Sequence, residues 1–598
     1  MSPILQYIIS VVAGFAIAMI TYVTTNRGIP DRSYHQQSTR FFVAALISML
    51  PVTVSGISLF SPAVILSGII ALLWTITYPL LYHLTNRKVS AEYDNKIDEA
   101  FGLYIFGMLT AIQGVSQGNI VVDIILSVVD FILLFIPVFQ IGWYVIYHTC
   151  VDANGIKIIQ ETNVNECIEF VKSFSPWKFL LMVIPIVLVA VVDVLANISP
   201  ANNGEFAGVW QCVVCVAVFF ILLHELLKKR KGALWRVGIV ELYLVVRDYI
   251  NNNRHYKDEQ EKRLNDLDVA PLNADKDDKK PKTVIMIIGE SACRDYMSAW
   301  HPDMEHDTTP WMRQLAETDL NAIVFPNAYS CAIQTVPSLE KALTEANQYN
   351  KKPFYESCSI IDIAHKLGYY VRWYSNQGHL GVADTPVTLV ADTSDVDKWT
   401  KQEVGKVQYD ENLLGFLDEV DPTKNNFIVI HLKGSHFNYL NRYPESFTRW
   451  GKPGVQDDVV NYENSIAYTD SVILRIWEYG CKKLNLQALV YFSDHGNEPG
   501  TRRQPAFSTF QMTRIPLFVW LSDTYAKEHP ERTESLKANR DKYFTNDLAY
   551  DLMCGVFDIH SNHFDESSSL ASKSYKYKQE DLLTYEGRVK ISDDKSSL

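Results

Sequence analysis

The chain has 598 residues, of which 48% are hydrophobic and 21% charged, and its formal net charge at pH 7 is −13. This length allows several domains, and the acidic excess argues against a nucleic-acid partner, whose phosphates would repel the protein. The nine cysteines do not decide the redox compartment.

The N-terminal part contains apolar segments near or above the ~20 residues that cross a hydrocarbon core. The six strong ones are Ile4–Thr24, Phe41–Phe60, Pro62–Leu84, Ile120–Tyr147, Phe179–Ile198 and Ala207–Leu227. A weaker segment, Phe101–Gly114, is the candidate for a seventh. The first segment lacks a basic leader and a cleavage site, which indicates a retained helix. We therefore predict a transmembrane domain of about five to seven helices over residues 1–231.

Basic residues flank these segments at three places, namely Arg27 to Arg40, Arg87 with Lys88, and Lys228 to Lys231. If the chain crosses seven times, all three clusters lie on the same side as the soluble domain. The positive-inside rule makes that side cytoplasmic. An error of one helix in the count reverses this answer, so the orientation is open at this stage.

Residues 232–282 form the predicted connection to the soluble part. Ala233–Ile250 mixes apolar and charged residues, which is typical of a helix lying in the membrane interface. Arg254–Lys282 carries dense mixed charge with few large apolar residues, which predicts a solvated linker. The third predicted domain is residues 283–598.

This third domain begins a pattern of short apolar strands alternating with helix-like segments. The predicted strands are residues 283–289, 369–375, 426–432, 486–492 and 515–521. Near-continuous apolar strands separated by helices indicate an α/β domain with a mainly parallel sheet covered on both faces. Chemistry in such sheets gathers beyond the carboxyl ends of the strands.

Metal-ligating residue types follow three of these strands. Glu290 follows the first strand, His431 and His436 flank the end of the third, and Asp494-His495 follows the fourth. Carboxylate with imidazole is a set that Zn²⁺ accepts, with Mn²⁺ or Mg²⁺ less favoured as histidine enters. Their convergence at one sheet edge predicts a metal site.

Thr335 is a candidate nucleophile. It stands before Val336, Pro337 and an apolar-periodic run, at the predicted N-cap of a helix. One interpretation is that Thr335 only caps this helix. The other is that its hydroxyl, beside a divalent cation and helix amides that favour a phosphoryl group, forms a covalent intermediate.

Four motifs occur in order along this domain. They are Gly289-Glu290-Ser291, Ser330-Cys331-x-x-x-Thr335, His431-x-x-Gly434-Ser435-His436 and Ser493-Asp494-His495-Gly496. In this order and spacing, behind several apolar segments, they resemble the phosphoethanolamine transferases of the alkaline phosphatase and sulfatase superfamily. The resemblance covers Thr283 to about Gly555, whereas the membrane part matches only in kind.

The resemblance implies roles for individual residues. The implied Zn²⁺ ligands are Glu290, Thr335, Asp494 and His495, and Thr335 is also the implied acceptor of phosphoethanolamine. The implied substrate-binding residues are Asn376, His379 and His436, of which His436 also helps proton transfer. For His431, fixing the loop and ligating a metal are both open.

The reaction implied by the resemblance is a two-step transfer. Thr335 attacks the phosphorus of phosphatidylethanolamine, diacylglycerol leaves, and an acceptor hydroxyl or phosphate then displaces Thr335. The implied acceptor is lipopolysaccharide or another surface glycan. This chemistry implies a bacterial inner-membrane protein that contacts membrane lipids and has a periplasmic catalytic domain.

Two departures limit the resemblance to the members that modify lipid A. Those members have Val-Pro-Cys where this chain has Val336-Pro337-Ser338, so the usual partner of Cys331 is absent. They also have a substrate-contacting histidine after Asp-His-Gly, where no histidine occurs before Ile515. Arg502 and Arg503 could hold phosphate there through a bidentate guanidinium, or they are surface arginines on a loop.

Three competing functions are weighed against the transferase. A phosphoglycerol transferase of the lipoteichoic type is the nearest, because it shares the superfamily. A sulfatase is disfavoured because its Cys-or-Ser-x-Pro-x-Arg nucleophile motif is missing. A non-catalytic membrane scaffold or sensor that retains the fold belongs to a different class.

Overall fold

The computed structural model describes the chain except for a few segments. The described residues are 3–25, 34–85, 95–116, 119–147, 150, 187–188, 190–199, 208–227, 234, 237–272, 280–377, 385–401, 406–500 and 509–595. They divide into two compact units, of which the first ends at Asp248 and the second begins at Tyr249. The predicted domain boundaries at residues 231 and 282 stay predictions.

The first unit is helical. Its helices are α1 (Pro3–Thr25), α2 (Tyr34–Ser48), α3 (Leu50–Ser55), α4 (Pro62–Leu84), α5 (Asn95–Ser116), α6 (Ile120–Tyr147), α7 (Val209–Leu227) and the start of α8 (Gly238–Asp258). In the described part of the chain, five helical stretches are long and apolar enough to cross a membrane. They are Ile4–Thr25, Ser38–Ser55, Pro62–Leu84, Ile120–Tyr144 and Val209–Leu227. Residues 179–186 and 189 of the predicted span Phe179–Ile198 lie outside the described residues.

Polar side chains inside this unit join its helices. The buried Asp98 carboxylate on α5 accepts hydrogen bonds from the Gly238 backbone amide at 2.9 and 3.0 Å, which fixes the start of α8. Asn197 donates to Asp130 at 3.1 Å and to Asp193 at 3.0 Å. Because unsatisfied polar groups are costly in an apolar surrounding, these bonds hold the helices in register.

The second unit is an α/β domain. Its helices are α9 (Gln260–Asp266), α10 (Pro310–Thr318), α11 (Thr335–Ala342), α12 (Ile360–Lys366), α13 (Pro386–Ala391), α14 (Leu414–Leu417), α15 (Asp458–Lys483), α16 (Asp523–Glu528), α17 (Pro530–Ala538) and α18 (Ala549–Val556). Its strands are β1 (Val269–Pro271), β2 (Thr283–Gly289), β3 (Ala322–Val324), β4 (Ala328–Tyr329), β5 (Tyr370–Ser375), β6 (Val396–Trp399), β7 (Asn426–His431), β8 (Leu486–Ser493), β9 (Leu517–Leu521), β10 (Phe544–Thr545), β11 (Ile559–Ser561), β12 (Leu583–Thr584) and β13 (Val589–Lys590).

A seven-stranded sheet in the order β3-β9-β8-β2-β7-β5-β6 forms the centre of this domain. The strands β8, β2, β7, β5 and β6 are parallel, whereas β9 is antiparallel to both β8 and β3. All residues of β2 are buried, with Val284 and Met286 in the core on one face and Ile285 and Ile287 in the core on the other. The prediction of a mainly parallel sheet covered on both faces is confirmed.

The register of the central strands decides where the site forms. Gly289 pairs with Ser493 across β2 and β8, so the residues that follow, Glu290 and Asp494, leave the sheet at the same level. On the other side of β2, Ile288 pairs with His431. The residues that follow the carboxyl ends of these three parallel strands therefore lie at the same edge of the sheet.

The segment predicted as a solvated linker, Arg254–Lys282, is partly helical and partly buried. Tyr256 on α8 is fully buried and stacks on Phe354 with ring centroids 4.4 Å apart. The guanidinium of the buried Arg263 on α9 lies 3.7 Å from the Tyr256 ring centroid. The sequence pattern did not predict the burial of Tyr256, because Tyr256 is a single aromatic residue among charged ones.

Candidate metal and nucleophile site

The cluster begins at Glu290, the residue after β2. Ser291 has a left-handed φ of 59°, and its backbone amide donates to Asp494 Oδ1 at 2.9 Å. The Ser291 hydroxyl donates to Glu290 Oε1. This sharp turn holds the almost fully buried Glu290 carboxylate against the end of β8.

His495 has a defined orientation. Its Nδ1 lies 2.7 Å from the Gly496 carbonyl oxygen, to which it donates. Its Nε2 faces two carboxylate oxygens, Asp494 Oδ2 at 3.3 Å and Glu290 Oε1 at 3.5 Å. A hydrogen bond at one ring nitrogen leaves the lone pair of a neutral imidazole on the other nitrogen, directed here at two anions.

This arrangement fits a divalent cation. The ligating atoms of Glu290, Asp494 and His495 lie within 4.8 Å of one another, and all three residues are buried. Ligand atoms about 2.0–2.1 Å from a tetrahedral Zn²⁺ lie about 3.3 Å from each other, close to the observed separations around Nε2. A cation between these atoms would replace the repulsion between the lone pair and the two carboxylates with attraction.

Thr335 lies beside this cluster. Its hydroxyl donates to Glu290 Oε2 at 3.1 Å, and the residue is only partly buried. Thr335 is the first residue of α11, and Gln334 occupies the N-cap without a side-chain cap bond. The predicted N-cap position is therefore wrong by one residue, because the helical backbone begins at Thr335 itself.

Two glycines let the loops come together. Gly434 has a φ of +50°, and a Cβ there would lie 2.7 Å from the Glu290 carbonyl oxygen. A Cβ on Gly496 would lie 2.2 Å from the carbonyl oxygen of Gln511. Gly496 therefore permits a close backbone approach that no other residue could make.

A hydrogen-bonded bridge joins α11 to the loop that carries Asp494. Ser338 Oγ donates to the Asp494 carbonyl at 2.6 Å. The Asn546 side-chain amide donates to that carbonyl at 2.7 Å and to Ser338 Oγ at 2.9 Å. Asn546 Oδ1 accepts from the Cys331 amide at 2.9 Å. Ser338, the departure from the family pattern, thus binds the two loops without a disulfide.

The structure places Gln377, rather than Asn376, against the cluster. Asn376 is fully buried, and its amide donates to Asp410 at 2.8 Å and accepts from Thr400 at 2.6 Å. Gln377 Nε2 lies 3.4 Å from Glu290 Oε2, and its Oε1 accepts from Lys433 Nζ at 3.2 Å. Sequence reasoning missed both Gln377 and Lys433, although each follows a strand end by two residues.

The two histidines of the third motif lie in different surroundings. His436 is half-buried in the turn that follows Gly434 and Ser435, where the Ser435 amide donates to the Glu290 carbonyl oxygen at 2.9 Å. His431 is buried on β7, where burial and the nearby Lys433 charge lower its pKa to about 3. Its ring meets Trp373 edge-on at 6.0 Å, which supports the packing interpretation of His431.

Three predicted substrate-binding residues, His379, Arg502 and Arg503, lie outside the described residues. Among the described cysteines, all eight are free thiols. The free thiol of Cys331 agrees with the sequence, in which Ser338 stands where the usual disulfide partner of Cys331 would be.

Comparisons with known proteins agree with the fold. Residues 282–554 match the sulfatase family. The phosphoethanolamine transferase EptC of Escherichia coli (strain K12) is 26% identical over 519 residues, which cover 78% of this chain and 87% of that protein. The Kdo(2)-lipid A phosphoethanolamine 7''-transferase of the same organism is 29% identical over 289 residues, covering 44% of this chain and 48% of that protein.

A solved structure extends the similarity to the membrane unit. The integral membrane lipooligosaccharide phosphoethanolamine transferase A (EptA) from Neisseria meningitidis has a TM-score of 0.53, with 18% identity. The aligned region covers 85% of this chain and 98% of the EptA chain, which shows a shared fold.

The α/β sheet and the carboxylate–imidazole cluster at its edge define a sulfatase-like domain attached to membrane-length helices. Within that class, the chain is similar to the phosphoethanolamine transferases, with which its sequence aligns over most of its length.

Proposed function

We propose that this protein transfers phosphoethanolamine from phosphatidylethanolamine to a surface acceptor through a covalent intermediate on Thr335. The observation that carries the proposal is the Thr335 hydroxyl, which is partly exposed and 3.1 Å from Glu290 within a buried carboxylate–imidazole cluster. A nucleophile beside a group that can take its proton is the usual arrangement for covalent catalysis.

The donor half-reaction uses residues on both sides of the phosphorus. Thr335 Oγ1 attacks the phosphorus while its proton passes to Glu290 Oε2. The bond between phosphorus and the diacylglycerol oxygen breaks, and His436 protonates that oxygen. Diacylglycerol leaves, and phosphoethanolamine stays on Thr335.

The acceptor half-reaction reverses these proton transfers. An acceptor hydroxyl gives its proton to His436 and attacks the phosphorus. The bond from phosphorus to Thr335 Oγ1 breaks, and Glu290 Oε2 returns the proton to that oxygen. A phosphate acceptor would attack without giving up a proton, and His436 would then regain its proton from water.

The buried ligands Glu290, Asp494 and His495, together with Thr335, would hold the metal. A bound Zn²⁺ would neutralise phosphoryl charge and lower the pKa of the threonine hydroxyl. The mixture of carboxylate and imidazole ligands favours Zn²⁺ over Mg²⁺ or Mn²⁺.

Gln377 and Lys433 are placed to bind the donor phosphate. Lys433 is 7% exposed and carries a positive charge that reaches the cluster through Gln377. An ammonium and an amide donor next to the attacking oxygen would stabilise the charge that builds on the phosphoryl oxygens. His379, Arg502 and Arg503 stay predicted members of the same phosphate-binding surface.

The membrane-length helices suit a lipid donor. We place the protein in the bacterial inner membrane with its catalytic domain in the periplasm, because the donor lipid and surface glycans meet there. Lipopolysaccharide is the acceptor that this placement favours.

The test is to incubate the purified full-length protein with Zn²⁺ and phosphatidylethanolamine labelled in its headgroup, without an acceptor. We expect the Thr335 peptide to gain the mass of phosphoethanolamine and to carry the label. Thr335→Ala should remove the adduct. Thr318→Ala is the matched control, since Thr318 is an exposed threonine at the end of α10 and should leave the adduct intact.

The same assay separates the competing functions. An adduct formed only from phosphatidylglycerol would replace the proposal with a phosphoglycerol transferase. Metal-loaded protein that forms no adduct from either lipid would support a non-catalytic role.

A further inference from the structure

A second group of metal-ligating side chains lies in the catalytic domain outside the Thr335 site. It consists of Glu345, Cys358 and His563, whose ligating atoms lie within 4.8 Å of one another. The three residues come from distant parts of the sequence. Glu345 follows α11, Cys358 precedes α12, and His563 follows β11.

The main chain holds Glu345 and Cys358 together. The Glu345 amide donates to the Cys358 carbonyl at 3.0 Å, and the Cys358 amide donates to Glu345 Oε1 at 2.9 Å. The next residue pair, Thr344 and Ser359, forms an isolated antiparallel bridge. The carboxylate and the thiol are therefore presented on a rigid support.

His563 completes the group from the opposite side. Its Nδ1 lies 2.9 and 3.1 Å from the two oxygens of Glu345. These separations are a few tenths of an ångström shorter than the ~3.3 Å edge between two ligands of a tetrahedral Zn²⁺. A small rotation of the half-buried imidazole would make room for an ion between the two side chains.

Burial and access both suit an ion. Cys358 is fully buried, and the side chains of Glu345 and His563 are 9% and 16% exposed. Glu345 and His563 line a cavity of about 310 Å³ that also contains the Asp551 and Asp565 side chains. Lys352 Nζ donates to Glu345 Oε2 at 2.8 Å, which fixes the carboxylate as outer partners commonly fix metal ligands.

We propose that Glu345, Cys358 and His563 form a second metal site that takes a thiophilic divalent cation such as Zn²⁺, with the cavity supplying the open coordination position. A thiolate, an imidazole and a carboxylate together select Zn²⁺ over Mg²⁺ or Ca²⁺, which prefer oxygen ligands. The ion would tie the segment that follows the nucleophile helix to the C-terminal part of the domain. This site does not depend on the transfer reaction.

Cobalt spectroscopy distinguishes the two sites. The Thr335 cluster contains no sulfur ligand, so a thiolate-to-cobalt charge-transfer absorption cannot arise from it and is expected from Cys358 at the second site. When metal-free full-length protein is titrated with Co²⁺, we expect two equivalents to bind and the sulfur band to appear. Asp494→Asn should reduce the stoichiometry to one and keep the band.

Matched variants separate the site from other thiols and from misfolding. Cys358→Ser should abolish the band, whereas Cys481→Ser, which removes an exposed thiol on α15, should keep it. His563→Gln should keep the fold by circular dichroism and weaken Co²⁺ affinity at this site more than about tenfold, because losing even an outer partner costs that much.

The proposal fails if no sulfur band appears in the folded wild-type protein, in which case Glu345 and His563 form a hydrogen-bonded pair only. It also fails if the band persists in both Cys358→Ser and His563→Gln. Neither outcome bears on the Thr335 adduct, which is measured separately.

Discussion

At the scale of single residues, the two oxygens of Glu290 have different surroundings. Oε1 faces His495 and the Ser291 hydroxyl, whereas Oε2 faces Thr335 and Gln377. In the proposed mechanism, one carboxylate could thereby contribute to a metal site through Oε1 and accept the proton of Thr335 through Oε2. Gln377 reaches Glu290 Oε2, whereas the buried Asn376 side chain is bound to Asp410 and Thr400.

The first prediction concerns the positive charge near Glu290. Lys433→Met should lower kcat/KM for phosphatidylethanolamine by about 100-fold, because it removes the charge that we propose to stabilise the donor phosphate through Gln377. Gln377→Leu should lower it to a similar extent. Kinetic measurement with the lipid donor tests this, and Lys452→Met, at an exposed lysine, is the control.

An unchanged kcat/KM in Lys433→Met would contradict the placement of Lys433 at the donor phosphate. A loss shared equally by Lys452→Met would instead point to a general effect of net charge.

At the scale of elements, helix α11 depends on the Ser338–Asn546 bridge for its position. The bridge connects the helix to the Asp494 carbonyl and to the Cys331 amide, so it fixes the position of Thr335 relative to the loop that carries Asp494. These side-chain hydrogen bonds join α11 to the Asp494 loop at the position where the family resemblance implied a disulfide from Cys331. The bridge therefore does not require an oxidising compartment.

The second prediction follows from this bridge. Asn546→Ala should lower the free energy of unfolding by about 2–3 kcal/mol, because it leaves buried polar groups without partners. It should also lower kcat more than tenfold with little change in KM, since α11 would shift relative to Asp494. Denaturant unfolding and steady-state kinetics measure the two effects.

Asn539→Ala is the matched control, because this buried asparagine makes two similar bonds to the Leu570 and Ser572 carbonyls. It should cost similar stability and leave kcat unchanged at a temperature where both variants are folded. If both variants lose the same fraction of kcat, the bridge has only a structural role.

At the scale of the whole molecule, the chain combines a helical unit suited to a membrane with an α/β domain that carries the site. Basic residues beside the apolar segments favour a cytoplasmic domain if there are seven spans, whereas the proposed chemistry favours the periplasm. Helix counting does not resolve this conflict, because part of the region between Cys150 and Val209 lies outside the described residues.

The third prediction is that the C-terminal domain is periplasmic. An alkaline phosphatase reporter fused after Leu598 should be active, because that enzyme folds to its active form only after export. A β-galactosidase reporter at the same position, which needs the cytoplasm, is the matched control and should be inactive. The opposite pattern would show a cytoplasmic domain and would exclude periplasmic acceptors.

The sequence alone was sufficient for the architecture and for the composition of the central cluster. Apolar length identifies membrane helices, and buried parallel strands read as continuous apolar runs, because both depend on local composition. Glu290, Thr335, Asp494 and His495 were identifiable because each directly follows or precedes a recognisable element and their motifs occur in family order.

Only the tertiary structure could decide which neighbours of those residues reach the cluster. The positions of Gln377 and Lys433 depend on the backbone direction after a strand end. The Ser338–Asn546 bridge depends on contacts between residues up to 215 positions apart. The Glu345–Cys358–His563 group has the same origin, because its ligands share no sequence motif. Local sequence patterns predict the fold, because they depend on neighbouring residues. The chemistry of each side chain depends on how loops that are distant in the sequence pack together.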